Sequence, residues 1–431
     1  MRNRSSYLVA VALFLFVSAV YPTTKTEELA ANAASNDAAA SATAIKELRA
    51  MGPKGLDALF ARYGVEVKKY AETGEGGNDW PRIAKALDTV SMQYDDYSSH
   101  LFWYTDIEEA KAAAKRENKP ILSLRLLGNL NEEYSCANSR LFRATLYSNQ
   151  DIAKYLSENY VLHWRSVRPA PRITIDFGDG RKIERTITGN SIHYILTGDG
   201  TVIDAIPGLY SPEMFLNYLK KGWEQYATVR TLNGPAINLA LMKFRKKNFD
   251  DIVARRDKTI KDSGVEMTET KTGTIAILAA PMAVSKAFVA DEYSLLRVYD
   301  DFSKFEPTVK LDDWGKLAGV YSPNNKLHAN SVQMIRRQNA KTGLSENDFK
   351  GLFAKLDTFI GLDTTRNEFL FHTKLYEWLN SQGGRGRTTL GLEDLNAEAY
   401  DKIFQTPNYD KWLGLYSNDV YTALDGNGII R

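Results

Sequence analysis

Residues 119–142 have the sequence KPILSLRLLGNLNEEYSCANSRLF, and this stretch decides the fold. The short apolar run at 121–124, preceded by Pro120, predicts a buried strand. The amphipathic stretch that begins at Arg140 predicts a helix, and Cys136 lies in the loop between the two. Cys136 is the only cysteine of the chain, so the first functional question is what one thiol at the start of a helix can do.

Strands and helices alternate on both sides of this loop. Upstream, Asp106 is placed to cap a helix over 107–117. Beyond about residue 225 the strands disappear and the apolar spacing is helical, with runs that include 274–291 and 346–360 and a helix end at Gly361. Between these parts, the pattern predicts a short helix at 151–158, a strand at 160–164, a hairpin of 172–177 and 182–187, a strand pair of 192–196 and 202–206, and a helix that begins at Ser211-Pro212-Glu213.

The N-terminus has the pattern of an export signal. Arg2 and Arg4 precede an apolar core at 7–20, which is short for a membrane span, and Val17-Ser18-Ala19 has small residues at the spacing of a cleavage site. We therefore expect residues 1–19 to be a signal peptide. The mature protein is then exported, either periplasmic or secreted, without stable membrane insertion. An uncleaved N-terminal anchor is the alternative.

The regions that flank the strand-rich part differ from it in composition. Residues 20–43 are rich in Ala, Ser, Asn and Thr and predict a disordered linker. Residues 44–99 show helical spacing, interrupted at Pro53, and predict an N-terminal helical segment. Residues 100–225 carry the alternating strands and helices, and residues 226–431 predict an α-helical C-terminal domain.

Charge and cysteine content exclude several classes of function. The chain has 55 Lys and Arg against 53 Asp and Glu, a net charge of +2, which argues against nucleic-acid binding because such proteins need a basic field. In an oxidising compartment a lone cysteine cannot form an intramolecular disulfide, so the fold depends on its core. The five histidines have no metal-ligand spacing with one another or with Cys136, and we predict no metal and no cofactor.

Several features of the middle third of the chain stand in a recognisable order. They are Trp103, Glu117-Asn118-Lys119-Pro120-Ile121-Leu122, Cys136-Ala137-Asn138-Ser139-Arg140, a strand–Gly198-Asp199-Gly200–strand unit, and Gly208. In this order they resemble the thioredoxin-like family, particularly its exported bacterial members, over about residues 100–225. The resemblance implies an α/β fold: a thioredoxin-like sandwich with an inserted β-hairpin, flanked by the N-terminal helical segment and the mostly α-helical C-terminal domain.

Two positions depart from the family pattern. The second thiol of the motif, three residues after Cys136, is replaced by Ser139. The cis-proline expected before the strand at 192–196 is replaced by Asn190-Ser191. Because a cis bond before a non-proline residue costs about 2.5–4 kcal/mol, we expect this loop to be trans and the partner-binding surface beside the thiol to be altered.

The resemblance implies thiol chemistry at Cys136, and the neighbouring residues limit it. A helix N-terminus stabilises a thiolate, and Ser139 is expected to donate a hydrogen bond to it. Thiolate attack on a disulfide gives a mixed disulfide, which a protein without a second thiol cannot resolve alone. A monothiol oxidoreductase or isomerase of this kind would isomerise disulfides, capture a cysteine-containing protein, or remove glutathione with the help of a small external thiol.

The residues expected beside the thiol are Tyr134, Asn190, Ser191 and His193, and we assign them to substrate binding. His193 is on a strand that begins beside the thiol in this fold, although a lone histidine on a strand is more often a core residue. The alternative for the whole protein is that Cys136 is a small buried hydrophobic residue. In that case the domain is a redox-inactive scaffold that binds a protein partner.

Overall fold

A five-stranded mixed sheet forms the centre of the protein. The structure is a computed structural model and describes residues 24–186, 189–265, 311–383, 391–404 and 423. Its strands are β1 Trp103–Tyr104, β2 Ile121–Leu127, β3 Val161–Arg168, β4 Arg172–Asp176, β5 Lys182–Thr186, β6 Ile192–Leu196 and β7 Val202–Pro207.

The strand order of the sheet is β1-β3-β2-β6-β7, and β4 and β5 form a separate two-stranded sheet. The pairs β1–β3 and β2–β3 are parallel, whereas β2–β6 and β6–β7 are antiparallel. The prediction of a mixed α/β protein with an inserted hairpin is therefore confirmed, and β2 is the central strand.

Along the chain, helices come before the first strand, between strands and after the last strand. The first eight are α1 Lys25–Ala33, α2 Ala38–Ala50, α3 Pro53–Thr73, α4 Trp80–Ser91, α5 Ile107–Glu117, α6 Ala137–Leu141, α7 Gln150–Asn159 and α8 Pro212–Val229. The later ones are α9 Pro235–Ser263, α10 Leu311–Tyr321, α11 Ala329–Gln338, α12 Glu346–Arg366, α13 Thr373–Gly383 and α14 Leu392–Glu398. The π-helical segments Phe142–Tyr147, Asn367–His372 and Ala399–Ile403 continue α6, α12 and α14.

The predicted helical character of the C-terminal region is confirmed for its described part, in which no strand occurs after residue 226. The helix predicted at 274–291 lies outside the described residues. Among the described residues, no helix has both the length and the apolar character that crossing a bilayer requires. Residues 1–19 are not described, so the signal peptide stays a prediction.

Two predicted helix starts are confirmed by their caps. The Asp106 carboxylate accepts backbone hydrogen bonds from Glu108 at 2.7 Å and Glu109 at 3.0 Å, at the start of α5. The Ser211 hydroxyl accepts one from Met214 at 3.4 Å at the start of α8. Each cap satisfies N–H groups that have no partner within the helix, which explains why these helices begin where the sequence indicates.

The disordered linker predicted over 20–43 is instead helical in its described part. At the start of α1, Thr24 and Glu27 form a reciprocal capping box, and Asp37 caps α2. The alanines that suggested flexibility are strong helix formers, and Ala30 is completely buried. The error lies in reading small side chains as a sign of disorder, because they also allow helices to pack closely.

The hydrophobic core has two main parts. One holds the N-terminal helices and includes Leu48, Leu59 and Leu87. The other continues from the sheet into the C-terminal helices, with members that range from Leu101 to Phe404. The predicted boundary between residues 225 and 226 therefore falls inside one shared core, and the C-terminal helices help to bury the sheet.

Candidate functional site

Cys136 lies where the sequence places it, between a strand and a helix. Its backbone N–H donates to the Leu127 carbonyl oxygen at the end of β2, at 3.0 Å, and Cys136 directly precedes the first turn of α6. The loop that contains Asn190 and Ser191 leads into β6, which pairs with β2. No peptide bond in the described part of the chain is cis, as predicted for this loop.

Two serine hydroxyls lie beside the sulfur. The Cys136 Sγ is 3.2 Å from Ser191 Oγ and 3.6 Å from Ser139 Oγ. The Ser139 hydroxyl donates to the Cys136 carbonyl oxygen at 2.9 Å, so its proton is directed to the backbone. The Cys136 thiol in turn donates to Ser139 Oγ, so the bond expected from Ser139 to a thiolate stays a prediction, and Ser191 is the closer neighbour of the sulfur.

Five of the six residues of the predicted site, all but Tyr134, are closed to solvent. The side chains of Cys136, Ser139, Ser191 and His193 are 0 % exposed, and Asn190 is 2 % exposed. Thiol exchange requires a direct approach of one sulfur to another. The described conformation gives a substrate disulfide no such approach to Cys136.

Residues 391–404, which we call the C-terminal cover, help to close this site. The Tyr400 hydroxyl donates to the Asn190 carbonyl oxygen at 3.0 Å. Burial first, and then the charge of a thiolate at Cys136, raise the pKa of Tyr400. The cover shares one hydrophobic core with Cys136 through Leu395, Ala399, Tyr400 and Phe404.

Tyr134 and His193 each contact a neighbouring side chain of the protein. The Arg172 guanidinium of β4 lies 4.6 Å from the centre of the half-buried Tyr134 ring. The His193 Nε2 is 2.7 Å from the Tyr147 hydroxyl, and its ring packs against Phe142 at 4.7 Å. Burial lowers the pKa of His193 to about 3, so its imidazole is neutral at physiological pH. The structure therefore favours a core role for this histidine.

A buried polar row that sequence reasoning missed crosses the sheet beside this site. The Arg125 Nη1 donates to Ser123 Oγ at 2.7 Å, and Ser123 Oγ is 2.8 Å from His163 Nδ1. Burial first, and then the charge of Arg125, lower the pKa of His163 to about 3. His163 pairs with Ser123 and His193 with the next residue, Leu124, so the two histidines point to opposite faces of the sheet.

The C-terminal cover meets this row as well. Arg125 Nη2 donates to Glu393 Oε1 at 2.8 Å, and Tyr194 donates to Asn396 Oδ1 at 3.4 Å. The one signal in the sequence is a charged residue inside the run ILSLRLL, every member of which is buried in β2. Beside this contact lies a cavity of about 200 Å³, lined by Arg125, Arg165, Ser166, Val167, Glu393, Asn396 and Ala397.

A second buried charged cluster joins β7 to the C-terminal helices. Glu368 accepts hydrogen bonds from Tyr218 at 2.8 Å and from Arg255 at 3.0 Å, and it lies 2.9 Å from His372 Nδ1. The His372 Nε2 is 3.9 Å from Asp204, an ion contact too long for a hydrogen bond. Burial alone would lower the pKa of His372, but Asp204 and Glu368 outweigh it and raise the pKa to about 9. The signal in the sequence is the spacing of Glu368 and His372, four residues apart on a helix.

A larger cleft of about 570 Å³ lies between the N-terminal helices, α7 and α11. His100 lines it with a left-handed backbone, φ 55°, and its Nε2 is 2.9 Å from Asp57 Oδ1. Burial lowers the pKa of His100 against the opposing charge of Asp57. The residues that line this cleft include none of the residues predicted to form the site.

Comparisons of the chain with known protein families, with curated proteins and with solved structures found no match. Within the described residues, no group of three or more His, Cys, Asp or Glu side chains is arranged to hold a metal ion. Function is therefore inferred from the geometry of this chain.

Proposed function

We propose that this protein is an exported, redox-inactive thioredoxin-like scaffold that binds a protein partner. The observation that carries the proposal is the enclosure of Cys136, which is 0 % exposed beside the C-terminal cover. Reactivity of a thiol depends on access to its sulfur. With Ser139 in place of a second thiol and the sulfur enclosed, Cys136 acts as a small buried core residue.

The order of the secondary structure supports the thioredoxin-like part of the proposal. The parallel strands β1, β3 and β2 and the antiparallel strands β6 and β7 stand in the sequence order that the resemblance implies, with β4 and β5 inserted between β3 and β6. Cys136 follows the central strand and precedes α6, which is the position of the motif in the resemblance.

The β4–β5 hairpin is the surface that best suits partner binding. Phe177, beside the turn, is 51 % exposed, and the Arg181 guanidinium lies 5.4 Å from the centre of its ring. Among the described residues, β4 and β5 pair only with each other. Aromatic and arginine side chains are enriched in protein interfaces, so an exposed pair of this kind at a hairpin tip supports a binding role.

The test of redox inactivity is the rate of alkylation of Cys136 in the native full-length protein. We expect iodoacetamide to modify the native thiol roughly a hundredfold more slowly than the thiol of the urea-unfolded protein, because modification requires local opening. A native rate close to the unfolded rate would overturn the proposal. The matched control is the double variant Cys136→Ser/Ser157→Cys, which moves the single thiol to an exposed position on α7 and is expected to react quickly.

A second function, thiol exchange by Cys136 after the cover moves, is favoured by one observation. The cover is a short segment whose hydrogen bonds to the sheet region include those of Tyr400 and Glu393, and a local opening can separate these bonds without unfolding the sheet. Incubation of the native protein with oxidised glutathione distinguishes the two functions. A glutathione adduct on Cys136 would favour exchange with a cysteine-containing protein or a small thiol, and an unmodified thiol favours the scaffold.

Export is part of the proposal because of the sequence pattern of residues 1–19. Cleavage after Ala19 would give a mature chain that begins at Val20, which N-terminal sequencing of the protein recovered from an exporting bacterial host reads directly. A chain that keeps residues 1–19 and sediments with the membrane would favour the uncleaved anchor.

A further inference from the structure

Arg125 is a buried cation in the central strand of the sheet. Its side chain is 1 % exposed, and burial lowers its pKa. A buried charge costs several kcal/mol unless it is paired, so Arg125 requires a counter-charge. Glu393 of the C-terminal cover provides one, with Oε1 2.8 Å from Arg125 Nη2.

The charges around this contact do not balance. Arg165, opposite Arg125 on β3, also approaches Glu393, with Nη1 3.2 Å from the same Oε1. His163 is neutral at physiological pH because its pKa is about 3. Among the described residues, the guanidinium groups of Arg125 and Arg165 therefore share the single carboxylate of Glu393, which is 53 % exposed. The site keeps an excess of positive charge.

The cavity beside these groups has the size and the donors for a small anion. Its volume of about 200 Å³ is below the roughly 300–1,000 Å³ of sites for drug-sized ligands. In the described structure Arg125 Nε, which is buried, has no hydrogen-bond partner. Buried donors are normally satisfied, so the described residues around Arg125, which lines the cavity, do not fully satisfy this cation.

We propose that this cavity binds a small oxyanion, a phosphate or a carboxylate, which Arg125 and Arg165 hold in competition with Glu393. The planar guanidinium presents several N–H donors in a geometry that matches oxyanions. Glu393 then acts as an internal carboxylate ligand, and an arriving oxyanion takes its place between the two arginines. Because Glu393 belongs to the C-terminal cover, occupancy of the site releases one attachment of the cover.

The test is calorimetric titration of the full-length protein with inorganic phosphate and, separately, with acetate. Ionic strength is held constant with sodium chloride, so that general screening is equal in both series. We expect saturable binding of one or both anions in the millimolar range or tighter, and the comparison tells phosphate from carboxylate. Saturation by neither anion would overturn the proposal.

Three variants distinguish competition between Glu393 and the anion from a general effect of protein charge on anion binding. Glu393→Gln removes the competing charge but keeps the side-chain shape, and we expect about tenfold tighter anion binding, equivalent to ~1.4 kcal/mol. Asp394→Asn is the matched control, an exposed neighbour on the same helix, and should leave the affinity unchanged. Arg165→Gln, at a position 58 % exposed and so compatible with folding, should weaken binding about tenfold. The proposal would be overturned if Glu393→Gln and Asp394→Asn changed the anion affinity by the same factor. It would also be overturned if Arg165→Gln left the anion affinity unchanged.

Discussion

The Tyr400 hydroxyl donates a hydrogen bond to the backbone carbonyl oxygen of Asn190, 210 residues away along the chain. Asn190 directly precedes Ser191, whose hydroxyl is 3.2 Å from the Cys136 sulfur. This one bond therefore links the C-terminal cover to the loop that touches the thiol. Access to the thiol and attachment of the cover should change together.

Tyr400→Phe tests this link with a minimal change. It removes the hydroxyl and with it one hydrogen bond between buried groups, so we expect a loss of about 1–2 kcal/mol in the free energy of unfolding. Opening of the cover becomes easier by a similar amount, and alkylation of Cys136 should accelerate roughly tenfold. Urea unfolding and iodoacetamide kinetics measure the two effects.

Tyr155→Phe on α7 is the control for this variant, since it removes a hydroxyl from a half-buried ring outside the cover. It should leave the alkylation rate of Cys136 unchanged. If Tyr400→Phe also reacts at the wild-type rate, the cover does not limit access to the sulfur.

Substitution of Cys136 by Ser and by Ala measures what the thiol contributes to the core. Cys136→Ala removes the sulfur from a fully buried position and should cost about 1–2 kcal/mol. Cys136→Ser should cost less, because its hydroxyl can hydrogen-bond to Ser191, whose oxygen is 3.2 Å from the present sulfur. Chemical unfolding of both variants decides the order. A larger loss for Ser than for Ala would show that the serine hydroxyls do not act as partners.

Gly55 provides a test of the helices that replace the predicted linker. A Cβ at this position of α3 would lie 1.9 Å from the Leu48 carbonyl oxygen of α2. Gly55→Ala must therefore separate the two helices, and we expect a loss of about 3 kcal/mol or more. Thermal unfolding of the full chain measures it.

Gly64→Ala is the matched control in α3, one residue after the kink at Tyr63. Among the described residues, nothing lies within 4 Å of a Cβ built at Gly64, so alanine should stabilise α3 by about 0.5–1 kcal/mol through its helix propensity. Opposite signs at the two glycines are the expected result. A neutral Gly55→Ala would mean that α2 does not pack closely on α3.

The sheet and several helix starts could be predicted because their signals are local. The apolar run at 121–124 and the period-two alternation around the Gly178 turn correspond to β2 and to the β4–β5 hairpin. Asp106 and Ser211 cap the helices that follow them. Each of these features depends on residues within a few positions of one another, and a local pattern is sufficient to indicate it.

Glycine signals were less reliable, as Gly361 illustrates. The sequence predicts a helix end there, but α12 continues through it to Arg366. A Cβ at Gly361 would lie 2.6 Å from the Asn325 side-chain nitrogen, so glycine serves a close approach between segments. A helix-ending glycine and a close-packing glycine look the same in one sequence.

The enclosure of the site could not be predicted, because it depends on distant contacts. The predicted strand at 121–124 ends before Arg125, because a charged residue usually indicates a surface position. In the structure, β2 continues through Arg125 to Leu127. The partner of Arg125, Glu393, is 268 residues away. No local period reports a pairing of this kind, so the burial of Arg125 emerges only from the folded chain. A buried Cys136 was one of two alternatives that the sequence left open, and the fold is needed to choose between them.

The Glu368–His372 pair predicts a loss of stability at alkaline pH. The pKa of His372 rises from 6.5 to about 9 in the folded protein, so folding favours its protonated form. This contribution to the free energy of unfolding is complete below about pH 6.5 and is lost as the pH rises through 9, with a size on the order of 3 kcal/mol.

The pKa of Glu368 is lowered, so its contribution to stability is present above its unfolded pKa and is lost as the pH falls in the acid range. The titratable groups that face His372 are Asp204, Glu368, Tyr210, Tyr218 and Tyr376.

Urea unfolding between pH 6 and pH 10 measures this dependence in the wild type and in His372→Gln. Tyrosines and lysines also titrate at the alkaline end, so the difference between the two proteins isolates the histidine. We expect the variant to be less stable at pH 6 and the difference to shrink as the pH approaches 10. His328→Asn, which replaces a half-buried histidine by another capping residue at the start of α11, should follow the wild-type profile. A difference between wild type and His372→Gln that stays constant with pH would mean that His372 is not held protonated by Asp204 and Glu368.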